Sequence, residues 1–208
     1  MLTGKELRVV ELFRKNVFAS YTIREIMKKI KTKSYNWIYT TVKKLEKENI
    51  INTEEKGKST LCSINLEEEN TIKYLSFLEG DNPLIKKVPN LEKIKKLLPF
   101  DYHFFLITGS YADGSCTSKS DLDVVVVIGE SQDKRREKTF LLNKLSNEGD
   151  LMIPKLHPYV FTVLEFLEMM TNKEENYGKE IAKKHLIISG AEFYYYILRE
   201  AINRGFRG

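Results

Sequence analysis

Two short stretches of the chain hold residues whose types and spacing suit chemistry. Asp121 and Asp123 head the run Asp121-Leu122-Asp123-Val124-Val125-Val126-Val127-Ile128, and four consecutive valines demand a buried strand. Strand residues two apart point to the same face, so the two carboxylates project side by side. Such a pair repels itself unless a cation lies between its members. Hard divalent ions such as Mg²⁺ take oxygen ligands of this kind, with phosphate supplying the rest. Upstream, His103-Phe104-Phe105-Leu106-Ile107-Thr108 reads as a second buried strand, running directly into Gly109-Ser110-Tyr111-Ala112-Asp113-Gly114-Ser115. Gly109 lets the backbone approach a ligand closely. Ser110 falls at the start of the next helix, where unpaired N–H groups and the dipole receive phosphate. The expectation is a phosphate cradle beside a metal-binding pair.

The order strand, Gly109-Ser110, short helix, Ser120-Asp121-Leu122-Asp123 and apolar strand resembles the nucleotidyltransferase fold of the DNA polymerase beta superfamily. It is similar in particular to the small prokaryotic and archaeal minimal nucleotidyltransferases, some of which are fused to winged helices. The resemblance implies transfer of a nucleoside monophosphate from an NTP to an acceptor hydroxyl, with two Mg²⁺ (or Mn²⁺) ions as cofactors. It implies Asp121 and Asp123 as catalytic metal ligands, and Gly109, Ser110 and Ser120 as nucleotide-binding residues. The family usually supplies a third carboxylate from a later strand. Here that strand is Lys155-Leu156-His157-Pro158-Tyr159-Val160-Phe161-Thr162, and His157 stands at the aligned position. A neutral histidine accepts a proton or ligates a metal, but it suits Mg²⁺ poorly. Asp150 is the nearest acid that would replace it, whereas Glu165 begins a helix. Pro158 marks the strand as an edge.

The elements that hold these residues follow an uneven charge. Residues 1–65 carry 14 Lys and Arg against 7 Asp and Glu, leaving 20 against 22 in the remainder, within a 208-residue chain of net charge +5. A basic module joined to a near-neutral one suggests different partners, phosphate backbones for the first. Thr3 with Glu6, and Thr22 with Glu25, have capping-box spacing ahead of helical apolar stripes. A third helix starts near Ser34, carrying Ile38, Val42 and Leu45 inward. Ile50–Asn52 and Thr60–Ile64 read as strands about a hairpin tip, Glu54–Ser59. Over residues 1–66 this order resembles the winged helix-turn-helix family, whose third helix enters the major groove. That implies duplex DNA as partner, with Tyr35, Asn36, Tyr39, Thr40 and Lys43 on the outer face of the helix and Lys56 and Lys58 on the wing. The other reading of Tyr35, Trp37 and Tyr39 is a contact between domains or between two copies in a homodimer.

The expected fold is α+β. A winged helix-turn-helix (1–66) and a helical connector (67–83) precede a mixed-sheet nucleotidyltransferase-like domain with C-terminal helices (84–208). Ile72, Leu75, Leu78 and Phe77 suit a connector helix, and residues 89–99 enclose another. Helices are expected at 163–170 and 174–184. Ile187–Gly190 reads as a break before a helix over 191–203 with Phe193, Ile197 and Leu198 inward, and His103 and His185 read as structural. Cys62 and Cys116 are the only cysteines, so neither a disulfide framework nor a four-cysteine zinc site is available. No apolar run is long enough to span a bilayer, and charges interrupt the segment where a signal peptide needs its apolar core, which gives a cytoplasmic expectation. Two functions stand open. One is a nucleotidyltransferase guided by a DNA-binding module. The other is a DNA-binding regulator whose transferase-like domain is catalytically degenerate and binds nucleotide or mediates association.

Overall fold

In the computed structural model, which describes residues 2–99 and 102–208, helices begin where side chains can cap them. Thr3 and Glu6 form a capping box at α1 (Gly4–Arg14), and Thr22 and Glu25 form another at α2 (Ile23–Ile30). The Ser34 hydroxyl accepts from the Trp37 N–H at the start of α3 (Tyr35–Lys47). Each bond satisfies an N–H that the helix itself leaves unpaired. The chain divides into two compact units, 1–78 and 79–208. In the first, α1 to α3 bury Val9, Val10, Phe13, Ile26, Ile38, Val42 and Leu45 completely. Beside them lies a sheet of β1 (Ser20–Thr22), β2 (Ile51–Lys56) and β3 (Ser59–Ile64), in the order β1-β3-β2 and antiparallel throughout.

Two features of this unit depart from expectation. The strand β1 is three residues long and carries no apolar alternation, so only its pairing with β3 defines it. The hairpin is also longer than its sequence suggests. Glu54, Glu55 and Lys56 stay in the ladder, and the turn is just Gly57-Lys58. Two-residue turns of this kind take Gly at the first central position.

The division between units falls inside α4 (Glu69–Gly80), where the sequence suggested a separate connector ending at residue 83. Ile72 and Leu75 are fully buried, whereas Phe77 is 60% exposed. Glu79 is buried and accepts a hydrogen bond of 2.7 Å from the Tyr195 hydroxyl, within the second unit.

The second unit continues through a 3-10 turn (Ile85–Lys87), α5 (Leu91–Leu97), β4 (Tyr102–Ile107), α6 (Gly109–Asp113), β5 (Leu122–Ile128) and α7 (Lys134–Gly149). Next come β6 (Leu156–Thr162), α8 (Val163–Thr171), α9 (Tyr177–Lys183), β7 (Leu186–Ser189) and α10 (Ala191–Asn203). Its sheet runs β6-β5-β4-β7. The pair β5/β6 is parallel, with α7 between them in sequence, while β4 is antiparallel to both β5 and β7. On one face Phe105, Ile107, Val124, Val126 and Val160 pack with Ile94, Leu141 and Leu145. On the other, Phe104 meets Phe166 and Tyr194 edge-on. A central strand buried on both faces has no alternating pattern, which is why Val124 to Val127 form an unbroken run, each with no exposed surface. Pro158 does sit in an edge strand, opposite Val124.

The C-terminal region corrects three expectations. Leu186–Ser189 is a strand on β4 rather than a break. The helix α9 is shorter than 174–184, because Asn176 caps it and accepts from the Lys179 N–H. On α10 the buried residues are Tyr194, Tyr195, Leu198 and Ala201, while Phe193 is 51% exposed and stacks on His103. Among the described residues no helix is long and apolar enough to cross a membrane.

Candidate active site

Three elements bring the chemistry together at one end of the sheet. The ladder between β4 and β5 extends one residue past β4, where the Thr108 N–H donates to the Asp123 carbonyl at 3.0 Å. The chain then turns sharply at Gly109, whose φ of +64° suits glycine and few other residues. A Cβ at this position would collide with Oδ2 of Asp123. The backbone of the Gly109-Ser110 turn therefore lies directly against one of the two carboxylates. From the far side, the register of β6 sets His157 opposite Asp123, with Nδ1 3.6 Å from Oδ1.

The two carboxylates are not equivalent. Asp121 is exposed and lies just before β5, whereas the Asp123 side chain inside the strand retains 28% of its surface. Burial pushes the Asp123 carboxyl above its usual range; His157 opposes that shift, and the charge of Asp121 adds to it. A bound cation would offset this unfavourable charge. Two hard oxygen donors beside a turn with no Cβ thus suit a divalent ion shared with phosphate, and the chemistry of the site matches that group in this respect. No group of three or more His, Cys, Asp or Glu side chains suited to a metal occurs among the described residues. Asp150 follows α7 with an exposed side chain 3.7 Å from Lys155, and Glu165 is held by its capping box and by Lys138 at 2.7 Å.

Other expected residues have local duties. The Ser120 hydroxyl accepts from the Thr117 N–H at 2.9 Å and so closes the turn leading into Asp121. The helix α6, which opens at Gly109 and includes Ser110, has only five residues. Its dipole is correspondingly small, so any phosphate binding falls to the turn N–H groups and the Ser110 hydroxyl rather than to a long helix. Lys184 reaches Asp113 at the end of α6 with a 2.6 Å ion pair, and Ser115 adds a hydrogen bond of 2.6 Å. Lys184 first, then Ser115, hold the Asp113 carboxyl well below its ordinary 3.8. A depressed carboxyl contributes stability above its unfolded pKa and loses it as pH falls through the folded value. Carboxyl carbon titration by NMR should therefore place Asp113 below 3.8. Lys184→Met should move that midpoint upward without restoring it fully, since the Ser115 bonds remain. An Asp113 midpoint unaffected by the substitution would contradict the pairing.

Sequence reasoning missed a group of residues on the Asp123 face. The Thr108 hydroxyl bonds the Tyr177 hydroxyl at 3.0 Å, and the ring of Tyr159 lies 4.6 Å from that of Tyr177. Tyr159 is two residues beyond His157 on β6, so strand alternation aims it to the side that carries Asp123. Only that alternation signalled it; Tyr177 had no sequence signal.

In the first unit Tyr35, Asn36, Tyr39, Thr40 and Lys43 are all exposed along one side of α3, and Lys56 and Lys58 are exposed at the hairpin end. The rings of Tyr35 and Tyr39 stack with centroids 6.3 Å apart. The Thr40 hydroxyl is turned back onto the Asn36 and Trp37 carbonyls at 3.0 Å. Lys43 pairs with Glu46 at 2.8 Å, and Glu46 also accepts from Thr53 on β2.

The second unit is a mixed sheet with Asp121 and Asp123 at the start of a central strand and a glycine turn packed against Asp123. Residues 90–189 match the family model described as "nucleotidyltransferase domain". The chain matches no curated protein and no solved structure.

Proposed function

We propose that the second unit transfers a nucleoside monophosphate from an NTP to an acceptor hydroxyl, and that the first unit is a winged helix that binds duplex DNA. The observation that carries the transferase reading is the contact between the Gly109 turn and the Asp123 carboxylate. A triphosphate lying on the turn N–H groups would have its charge next to Asp123, with Asp121 two residues before it. In this reading Asp121 and Asp123 hold Mg²⁺ or Mn²⁺, which when bound neutralises triphosphate charge and acidifies the acceptor hydroxyl. Gly109 keeps the backbone open to the β- and γ-phosphates, and Ser110 adds its hydroxyl. The acceptor oxygen bonds to the α-phosphorus as the bridge to the β-phosphate breaks; pyrophosphate leaves and the hydroxyl proton passes to solvent. The test is incubation with each α-labelled NTP and Mg²⁺ or Mn²⁺, alone and with cell extract. Label transferred to a defined acceptor supports the reading, and absence of transfer with every NTP counts against it.

A second reading is favoured by one specific observation. The position opposite Asp123 on β6 is His157, where the resemblance leads one to expect an acid. In that reading the domain binds nucleotide without turning it over, and the protein is a DNA-binding regulator. Nucleotide binding with no transfer to any acceptor selects it.

For the first unit, the support is an exposed polar and aromatic face on α3 together with the basic excess of residues 1–65. Affinity for duplex DNA should fall steeply with salt as counterions are released. The triple substitution Lys43→Ala, Lys56→Ala and Lys58→Ala should weaken binding to all sequences alike and reduce the salt slope by about 2 to 3. Fluorescence anisotropy at several salt concentrations measures this, and an unchanged slope argues against groove docking.

A further inference from the structure

We infer that Tyr177 is a positioning residue for the triphosphate turn, holding Thr108, and through it Gly109 and Ser110, in register with Asp123. The inference rests on the transferase reading and deepens it. Thr108 is the last residue before the turn and is only 3% exposed. It is fixed from two directions, its N–H donating to the Asp123 carbonyl and its hydroxyl bonding Tyr177 at 3.0 Å. Thr3, Thr22 and Thr162 each turn the hydroxyl onto their own helix in a capping box. Thr108 precedes α6 in the same way yet makes no capping bond. Its hydroxyl is committed sideways to Tyr177 instead. Tyr159 backs the Tyr177 ring at 4.6 Å, so the phenol oxygen has a fixed platform rather than a free swing. The result is a tie from the first residue of α9, across the Asp123 face of the sheet, to the residue that launches the turn.

A turn that tips by a fraction of an ångström moves its N–H groups relative to Asp123, and electrostatic sites lose much of their effect under such displacement. The test titrates Mg²⁺ with the α,β-methylene analogues of the four common NTPs, by calorimetry, into the full-length protein and its variants. It is run at a temperature where melting curves show every variant folded, so that a merely structural loss leaves affinity unchanged. Tyr177→Phe and Thr108→Val should each weaken the tightest-bound analogue about fivefold to tenfold. The double variant should be no weaker than either single one, because both remove the same bond. Thr108→Ser, which keeps the hydroxyl, should bind like wild type. Lower melting temperatures with wild-type affinity, or effects that add in the double variant, overturn the positioning role. A wild-type protein that binds none of the four analogues overturns the transferase reading itself.

Discussion

The Asp121→Asn/Asp123→Asn protein should transfer label from an NTP at least roughly a thousandfold more slowly than wild type, while melting at the same temperature or higher. The first half follows from the charge these carboxylates supply. In the proposed reading these groups would hold a divalent cation, and losing them would remove several kcal/mol of transition-state stabilisation; about 4 kcal/mol corresponds to a factor of roughly a thousand. The second half follows from the geometry. Asp123 is partly buried beside another acid, and its carboxyl is pushed up by burial and by the charge of Asp121. Asparagine keeps the shape and removes the repulsion, so the folded state gains or is indifferent. Opposite signs for activity and stability separate a site effect from misfolding. Transfer that persists in the double variant would place the chemistry elsewhere.

Gly109→Ala should lose roughly a hundredfold in transfer while costing only about 2 kcal/mol of stability. Two terms set the stability figure. A left-handed residue with a Cβ costs about 1 kcal/mol, and relieving the collision by turning Asp123 off its rotamer costs about another 1. The atom that must yield is a carboxylate oxygen at the end of a short side chain, so the fold survives. At Gly190, by contrast, a Cβ would meet the His103 carbonyl and the Phe104 backbone, which cannot step aside. Gly109→Ala thus displaces the carboxylate that the turn packs against, and activity falls far more than stability does. Melting curves and transfer rates on one preparation measure both. Equal activity would mean that the close approach of Gly109 to Asp123 has no catalytic use.

Both experiments also bear on His157. It lies 3.6 Å from Asp123 where an acid was expected from the resemblance. Among the described residues no third carboxylate joins Asp121 and Asp123 in a group suited to a metal. If the domain only binds nucleotide, the same two substitutions abolish binding with no transfer to lose. The measured quantity therefore chooses between enzyme and regulator, whichever way the result falls.

How much of this was legible beforehand depended on the range of the interaction. Capping boxes at Thr3 and Thr22 could be read directly, because partner and cap lie three residues apart. The valine run after Asp123 announced its own burial, and the glycine turn and acid pair announced themselves by residue type. The three-residue β1 could not be read, since pairing with β3 alone makes Ser20–Thr22 a strand. Periodicity puts Phe193, Ile197 and Leu198 inward on α10; Leu198 is buried, but packing on Phe104 selects Tyr194 in place of Phe193, because period alone does not say which stripe meets the sheet. The tie between Thr108 and Tyr177 spans 69 residues and has no local signature.

Residue types and their local spacing supply the available groups: a carboxylate pair on a buried strand, a glycine that frees the backbone ahead of it, and a basic stretch before both. These follow from side-chain chemistry and from periodicity within a few residues. Long-range packing alone sets Gly109 against Asp123, His157 opposite it, and Tyr177 across on Thr108. Such meetings depend on strand order and register, which are settled by the packing of the whole sheet and are carried by no short segment of the chain.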